Sequence, residues 1–193
     1  MPRVTAAYRD ARRAQLLAAG RACFVRHGFH ATSMSDLFAE AGVSAGLFYS
    51  YFTSKEDLIV AVAEDNMAEV VARFEALARE HPTGSAGDML ADALGLIWHQ
   101  HEQAGLASVA VQVWAEALTN DRLRDQLAAL FNSLVDNLET ALRAQQHGEV
   151  SAKGIAGALV SVIPGFLLQL AIRNHDELGD IPDAVRTLVA GLG

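Results

Sequence analysis

Ser44 lies in Gly42-Val43-Ser44-Ala45-Gly46, the G-x-S-x-G spacing in which a serine held on a sharp turn becomes a nucleophile. The same stretch continues into Tyr49, Ser50 and Tyr51, with Lys55 just beyond, so hydroxyls and an ammonium crowd together. A second reading of this segment therefore competes with acyl transfer at Ser44. Other reactive side chains offer less. Cys23 is the single cysteine, and nothing near it in sequence lowers its pKa, which makes it a packing residue. His99 and His101 are two apart and face different sides of a helix, so they do not share a metal. The other histidines form no cluster, and no metal or cofactor is expected.

The elements around Ser44 decide between the two chemistries, because a nucleophile elbow needs a strand before its serine. Leu16, Ala19, Gly20, Cys23, Phe24 and His27 recur with helical spacing, which predicts a first helix from about Tyr8 to His27 with Gly28 as its cap. Ser33 and Asp36 form a capping box that opens a short helix through about Glu40, and Gly42 breaks it. A second short helix fits Ala45 to Phe52. Ser54 with Asp57 opens a long helix striped by Ile59, Ala63, Met67, Val70, Phe74 and Leu77 and ended by His81-Pro82-Thr83-Gly84. Further stripes run through Leu90, Leu94, Ile97, Trp98 and His101, and from Leu123 through Leu130, Phe131 and Leu134 to Leu142. Only Val109 to Trp114 alternates like a strand, and it continues without a turn into Ala115 to Leu118, so it too is predicted helical. Without a strand Ser44 has no elbow. Helix, glycine turn and helix is instead the arrangement that places one helix in the DNA major groove. Phe48 and Phe52 then pack inward, while Gly46, Leu47 and Ser50 point the opposite way, flanked by Ala45 and Tyr49 on one side and Tyr51 on the other.

The chain has 193 residues, about half of them apolar, and a formal net charge of -8. Residues 1–60 carry seven basic and five acidic side chains, against eight and eighteen in the remainder. A basic head on an acidic body suits a polyanion-binding head, although a solvated basic tail explains the same numbers. A lone cysteine excludes an internal disulfide framework, and Met1-Pro2-Arg3-Val4 shows no apolar signal region, so a cytoplasmic location is expected.

Residues from about 10 to 60 resemble the DNA-binding domain of the TetR family of bacterial repressors. The resemblance rests on Gly28-Phe29-His30-Ala31-Thr32-Ser33, on Ala41 to Gly46, on Tyr49-Ser50-Tyr51-Phe52 and on Ser54-Lys55-Glu56-Asp57-Leu58, in order and without gaps over most of the head. It implies an all-α fold. Residues 1–54 would form a three-helix helix-turn-helix DNA-binding domain, and 55–193 a larger helical effector-binding and dimerisation domain. It further implies that Thr32, Ser33, Tyr49, Tyr51 and Lys55 grip phosphates while Ser44, Ala45, Gly46, Leu47 and Ser50 approach base edges of a palindromic double-stranded operator. Three positions depart from the family pattern: Ala45 replaces a polar or basic residue, Leu47 a small polar one, and Ser50 an aromatic or histidine. Direct hydrogen-bond readout is then sparse, and DNA shape with apolar contact from Leu47 to thymine methyls carries more. Ordinary packing explains Leu47 equally well. Arg3, Arg9, Arg12 and Arg13 either line the phosphate backbone or form a solvated arm.

For the body the resemblance implies a small-molecule site and dimerisation through the last two long helices. Ile155 to Ile172 is free of charge over a length at the lower limit for crossing a membrane. Pro164, Ser161 and Gln169 favour a helix buried against a second copy, so a homodimer and no membrane contact are expected. Met67, Phe74, Trp98, Gln112, Trp114, Phe131, Phe166 and Gln169 are the candidates to line a site for a lipophilic effector, each with plain core packing as its rival role. The resulting reading is a transcriptional repressor released from its operator by a small molecule and without enzymatic activity. The alternatives are a ligand-insensitive helix-turn-helix protein and an all-helical enzyme.

Overall fold

The computed structural model describes residues 5–80, 85–143, 150–173 and 177–190, and of 73–75 and 77–80 the backbone only. Among these residues there are helices and no strand. The chain divides into two compact units, one up to Asn66 and one from Met67 onward, with one long helix contributing to both.

In the first unit, α1 (Ala6–Ala31) starts at Thr5, whose hydroxyl accepts the Tyr8 N–H. Gly28 interrupts it at φ 78, ψ 167, a conformation open to glycine, and one further turn carries the chain to Ala31. Next, α2 (Met34–Ala41) opens on the expected Ser33–Asp36 capping box and closes at Gly42, left-handed at φ 61. The third helix, α3 (Ala45–Tyr49), is shorter than the predicted Ala45 to Phe52. Its last turn tightens, with the N–H groups of both Tyr51 and Phe52 donating to the Phe48 carbonyl. Then α4 (Lys55–Glu80) begins on a split cap, Ser54 Oγ accepting the Asp57 N–H while the Asp57 carboxylate accepts the Thr53 N–H. Leu16, Phe24, Leu37, Phe48, Leu58 and Val62 make the core of this unit, each almost wholly buried.

In the second unit, Gly105 at φ 65 joins α5 (Ala86–Ala104) to α6 (Leu106–Ala117), and α7 (Asp121–Leu142) is capped by Asn120. The stretch that alternates like a strand is thus helical. The apolar run forms two helices, α8 (Ala152–Val160) and α9 (Val162–Ile172), parted at Ser161. Pro164 explains the break: it lacks an N–H, and a new helix starting at Val162 places it in a first turn, where no intrahelical donor is required. The last helix, α10 (Ile181–Ala190), lies against α5, with Val189 so near Gly87 that an added Cβ would stand 2.9 Å away. Arg186 ties the two helices, reaching Asp88 at 3.2 Å and Asp92 at 3.0 Å and pairing with Asp183 on its own helix.

By length and hydropathy Ala152–Ile172 could cross a membrane. Its residues Ala156, Leu159, Ile163, Phe166, Leu167 and Leu170 nevertheless pack into the core of the second unit with Leu90, Leu94, Leu134 and Leu138. Leu159 and Phe166 therefore belong to the interior of a single chain rather than to a surface between copies. The predicted stop at His81–Gly84 and the side chains of Phe74 and Leu77 lie outside the described residues.

Candidate nucleic-acid interface

Helix α3 is held from behind. Phe48 (1% exposed) and Phe52 (3%) pack inward, as their four-residue spacing predicts. Phe38 of α2 meets the rings of Phe48 and Tyr49 edge-on at 5.4 and 6.0 Å, an arrangement favoured by the aromatic quadrupole. This leaves Ser44, Ala45, Gly46, Tyr49 and Ser50 exposed and Leu47 and Tyr51 half-buried. Ser44 caps α3, its hydroxyl accepting the Leu47 N–H at 3.3 Å. A Cβ built on Gly46 would meet nothing within 4 Å, so the fold itself has no use for a glycine there. Ser50 donates its hydroxyl back to the Leu47 carbonyl at 2.6 Å and leaves only its oxygen lone pairs for a partner.

Two of the residues expected to contact phosphate, Thr32 and Lys55, hydrogen-bond within the chain. Thr32 is 1% exposed, and its hydroxyl turns inward to the Gly28 carbonyl at 2.7 Å, with the Cys23 carbonyl at 3.3 Å. Lys55 Nζ donates to three carbonyls, those of Phe29 at 2.9 Å, Thr32 at 3.0 Å and His30 at 3.3 Å. An ammonium has three protons, so this one has none left over. Ser33 stays at the surface as the cap of α2, bonded to Asp36, whose carboxyl is held below its usual range first by the Ser33 hydroxyl.

Arg12 and Arg13 are tethered. Arg12 donates to Gln15 Oε1 at 2.6 Å and to the Tyr8 hydroxyl at 3.0 Å, and Gln15 donates in turn to the Ala41 carbonyl at 2.8 Å, at the end of α2. Arg13 lies over the Phe52 ring, 5.8 Å from its centre. Arg9 is exposed, and Arg3 lies outside the described residues. Sequence reasoning missed Gln15, a polar residue beside the apolar stripe of α1. Lys55 carries a legible anomaly, a cation in the first turn of a helix, where the macrodipole favours anions. Cys23 is buried, and burial pushes its thiol pKa up, consistent with an unreactive packing residue.

In the body, the structure brings Trp98, Trp114, Phe131 and Phe166 onto one apolar core, with Trp98 and Phe166 5.8 Å apart. The two amides are engaged elsewhere: Gln112 donates to the Ser108 carbonyl at 3.0 Å and Gln169 accepts from Arg173 at 2.8 Å. Met67 is half-buried on α4. His101 was not among the candidates, yet it sits inside this region. Its Nδ1 accepts the Ala107 N–H at 3.3 Å, the ring also bonds the Leu170 backbone, and burial lowers its pKa.

With this geometry in place, residues 16–62 match the sequence model of bacterial regulatory proteins of the tetR family, and residues 86–192 that of the C-terminal region of BetI-type transcriptional repressors. The chain belongs to the TetR family. It is a helix-turn-helix transcriptional regulator that binds DNA. The regulator UidR of Escherichia coli K12 is 29% identical over 186 residues, 93% of this chain and 92% of UidR. Among solved structures, a transcriptional regulator from Rhodococcus superposes with a TM-score of 0.79 at 18% identity, covering 93% of this chain and 94% of that one. A regulator from Saccharomonospora viridis in complex with choline gives 0.71 at 21% identity, covering 94% and 95%. Both likenesses are of fold.

The open face of α3 carries few side-chain hydrogen-bonding groups. Ala45 and Gly46 offer no side-chain hydrogen bond, and Ser50 has turned its proton inward. What remains is backbone, methyl groups, the edge of Leu47 and the hydroxyls of Ser44 and Tyr49.

Proposed function

We propose that this TetR-family regulator is a cytoplasmic homodimeric repressor that holds a palindromic duplex through α2 and α3 and releases it when a small, mostly apolar molecule enters the core of the body. The open space at Gly46 carries the reading of α3 as the base-facing helix: the surface is pared to backbone where a helix enters a groove. Ser44, Ala45, Gly46 and Leu47 face the bases, and Tyr49 and Tyr51 reach phosphates. Readout then leans on shape and on contact between Leu47 and thymine methyls.

Support for the dimer comes from the outward edge of α8 and α9. Ala158, Ser161, Gly165, Leu168 and Ile172 are exposed and alternate by three and four residues, the spacing of a helix-packing seam. Small residues at one end allow close approach, and Leu168 and Ile172, 46% and 73% exposed, supply apolar area at the other. For the effector, Trp98, Trp114, Phe131 and Phe166 are the aromatic lining, with Met67 on α4, the helix that contributes to both units.

The test is selection of duplexes from a randomised pool by the wild-type protein, followed by binding of the winner in the presence of a small-molecule library. A two-fold symmetric consensus whose binding is relieved by an apolar compound is the expected result. Enrichment of no sequence would sink the reading.

A further inference from the structure

Helix α3 is five residues long, and Phe48 alone among them is buried. So short a helix does not hold a direction by itself, and one ring in the core lets it pivot about that ring. Its bearing has to be fixed from outside, at its two ends. Helix α1 touches both. Arg13 lies over the ring of Phe52, just past the end of α3. Gln15, two residues along α1, reaches the other end, where its Nε2 donates to the Ala41 carbonyl at 2.8 Å, shortly before the Ser44 cap.

This bond is defined at both ends of the amide. A carbonyl only accepts and a guanidinium only donates, so Nε2 faces Ala41 and Oε1 faces Arg12, which donates to it at 2.6 Å. Arg12 is held in turn by the Tyr8 hydroxyl at 3.0 Å, with its guanidinium 5.4 Å from the centre of the Tyr8 ring. Gln15 is exposed, so water would satisfy its amide equally well, and burial does not force the pairing. At the end of α2 the turn supplies its own N–H groups to the carbonyls further back, Val43 to Phe38 and Gly42 to Ala39. The Ala41 carbonyl takes its bond from another helix. The aromatic contacts behind α3 tolerate small rotations, whereas a hydrogen bond weakens as its angle opens, which makes Gln15 the directional fastening.

We propose that Gln15 is a positioning residue for DNA readout: by fastening the turn between α2 and α3 to α1, it fixes the bearing at which α3 meets the duplex. The proposal rests on the DNA-binding reading above. Gln15 acts through the Ala41 carbonyl, and Arg12 keeps its amide turned toward that carbonyl. A residue that touches one base relaxes preference at one base pair. A residue that acts through α3 relaxes preference at every pair α3 faces. Being uncharged, it leaves the dependence of affinity on salt unaltered when it is removed.

The experiment repeats the selection from a randomised pool with Gln15→Met and Gln15→Glu. Methionine is also long and unbranched and offers no donor, whereas glutamate keeps an acceptor for Arg12 but cannot donate to Ala41 once ionised. Both variants are expected to return a consensus broadened at all the positions that wild type selects. Preference for the wild-type winner over a scrambled duplex should fall about fivefold, the scale of one net hydrogen bond, and the salt slope of Gln15→Met should match wild type. An unbroadened consensus from Gln15→Met overturns the proposal, and so does broadening at a single base pair. Wild-type selectivity in Gln15→Glu overturns it as well, because the bond to Arg12 would then be the one that matters. Should neither variant fold, NMR of the wild-type protein decides: a coupling across the hydrogen bond from the Gln15 side-chain nitrogen to the Ala41 carbonyl carbon is expected, free and DNA-bound alike. Its absence from either state overturns the fastening. Failure of wild type to enrich any sequence defeats the DNA-binding reading itself, whereas a sharp consensus shared by wild type and both variants defeats the positioning role alone.

Discussion

A Cβ on Gly20 of α1 would stand 2.9 Å from Cδ2 of Leu58 on α4, and Leu58 is fully buried. Helices α1 and α4 approach this closely only because one of them lacks a side chain at the crossing. Gly20→Val is expected to destabilise the first unit by about 1–3 kcal/mol through overpacking. Denaturant unfolding checks it, and an unchanged midpoint would show that the helices separate freely.

Gly46 is the opposite case, a helical glycine facing open space. Gly46→Ala should stabilise the fold by up to about 1 kcal/mol, because alanine restricts the unfolded chain and favours helix. Duplex affinity is expected to fall in the same variant, since the added methyl stands where the bases come closest. A stabilised protein with undiminished binding would remove Gly46 from the interface.

Leu168 and Ile172 face outward from α9, whereas Phe166 between them in sequence is 1% exposed. Leu168→Glu and Ile172→Glu should yield folded monomers, because a carboxylate at a solvent-facing position is hydrated until a second copy covers it. Phe166→Glu should instead unfold the second unit. Sedimentation with circular dichroism separates the outcomes, and dimers persisting in both outward variants would place the interface elsewhere.

His101 carries a pH dependence whose sign follows from its surroundings. Burial lowers its pKa below 6.5, with the Glu102 charge and the Leu170 bond opposing, so the folded chain prefers the neutral ring. The unfolded chain protonates first as pH falls, and stability that is complete above the unfolded value is lost as pH drops through the folded one. Protonating Nδ1 would also set its proton against the Ala107 N–H. His101→Gln should flatten this part of the stability curve, on the acid side of the ordinary histidine range. Parallel curves for the two proteins would exclude the histidine as their source.

Helix positions and most caps were legible because they are local. The Ser33–Asp36 box, the Gly42 stop and the inward pair Phe48 and Phe52 depend on residues three or four apart, and the backbone reads such spacings directly. The head was legible for the same reason, its motif being a contiguous run. The end of α3 at Tyr49 depends on a tightened turn at Ser50 and Tyr51 that periodicity does not register.

The sequence by itself determined that this chain is helical, that its basic head is a helix-turn-helix and that Ser44 has no strand to make it a nucleophile. Only the tertiary structure decided what individual side chains do. Lys55 and Thr32 looked like surface donors, and they meet the carbonyls of α1 because Gly28 turns that chain end toward the start of α4. Leu159 and Phe166 read like Leu168 within one uncharged run, yet the rotation of α8 and α9 about their axes sends two into the core and leaves the third outside. A uniformly apolar helix has no polar face to mark its outside, so only the neighbours it packs against can settle which edge stays open.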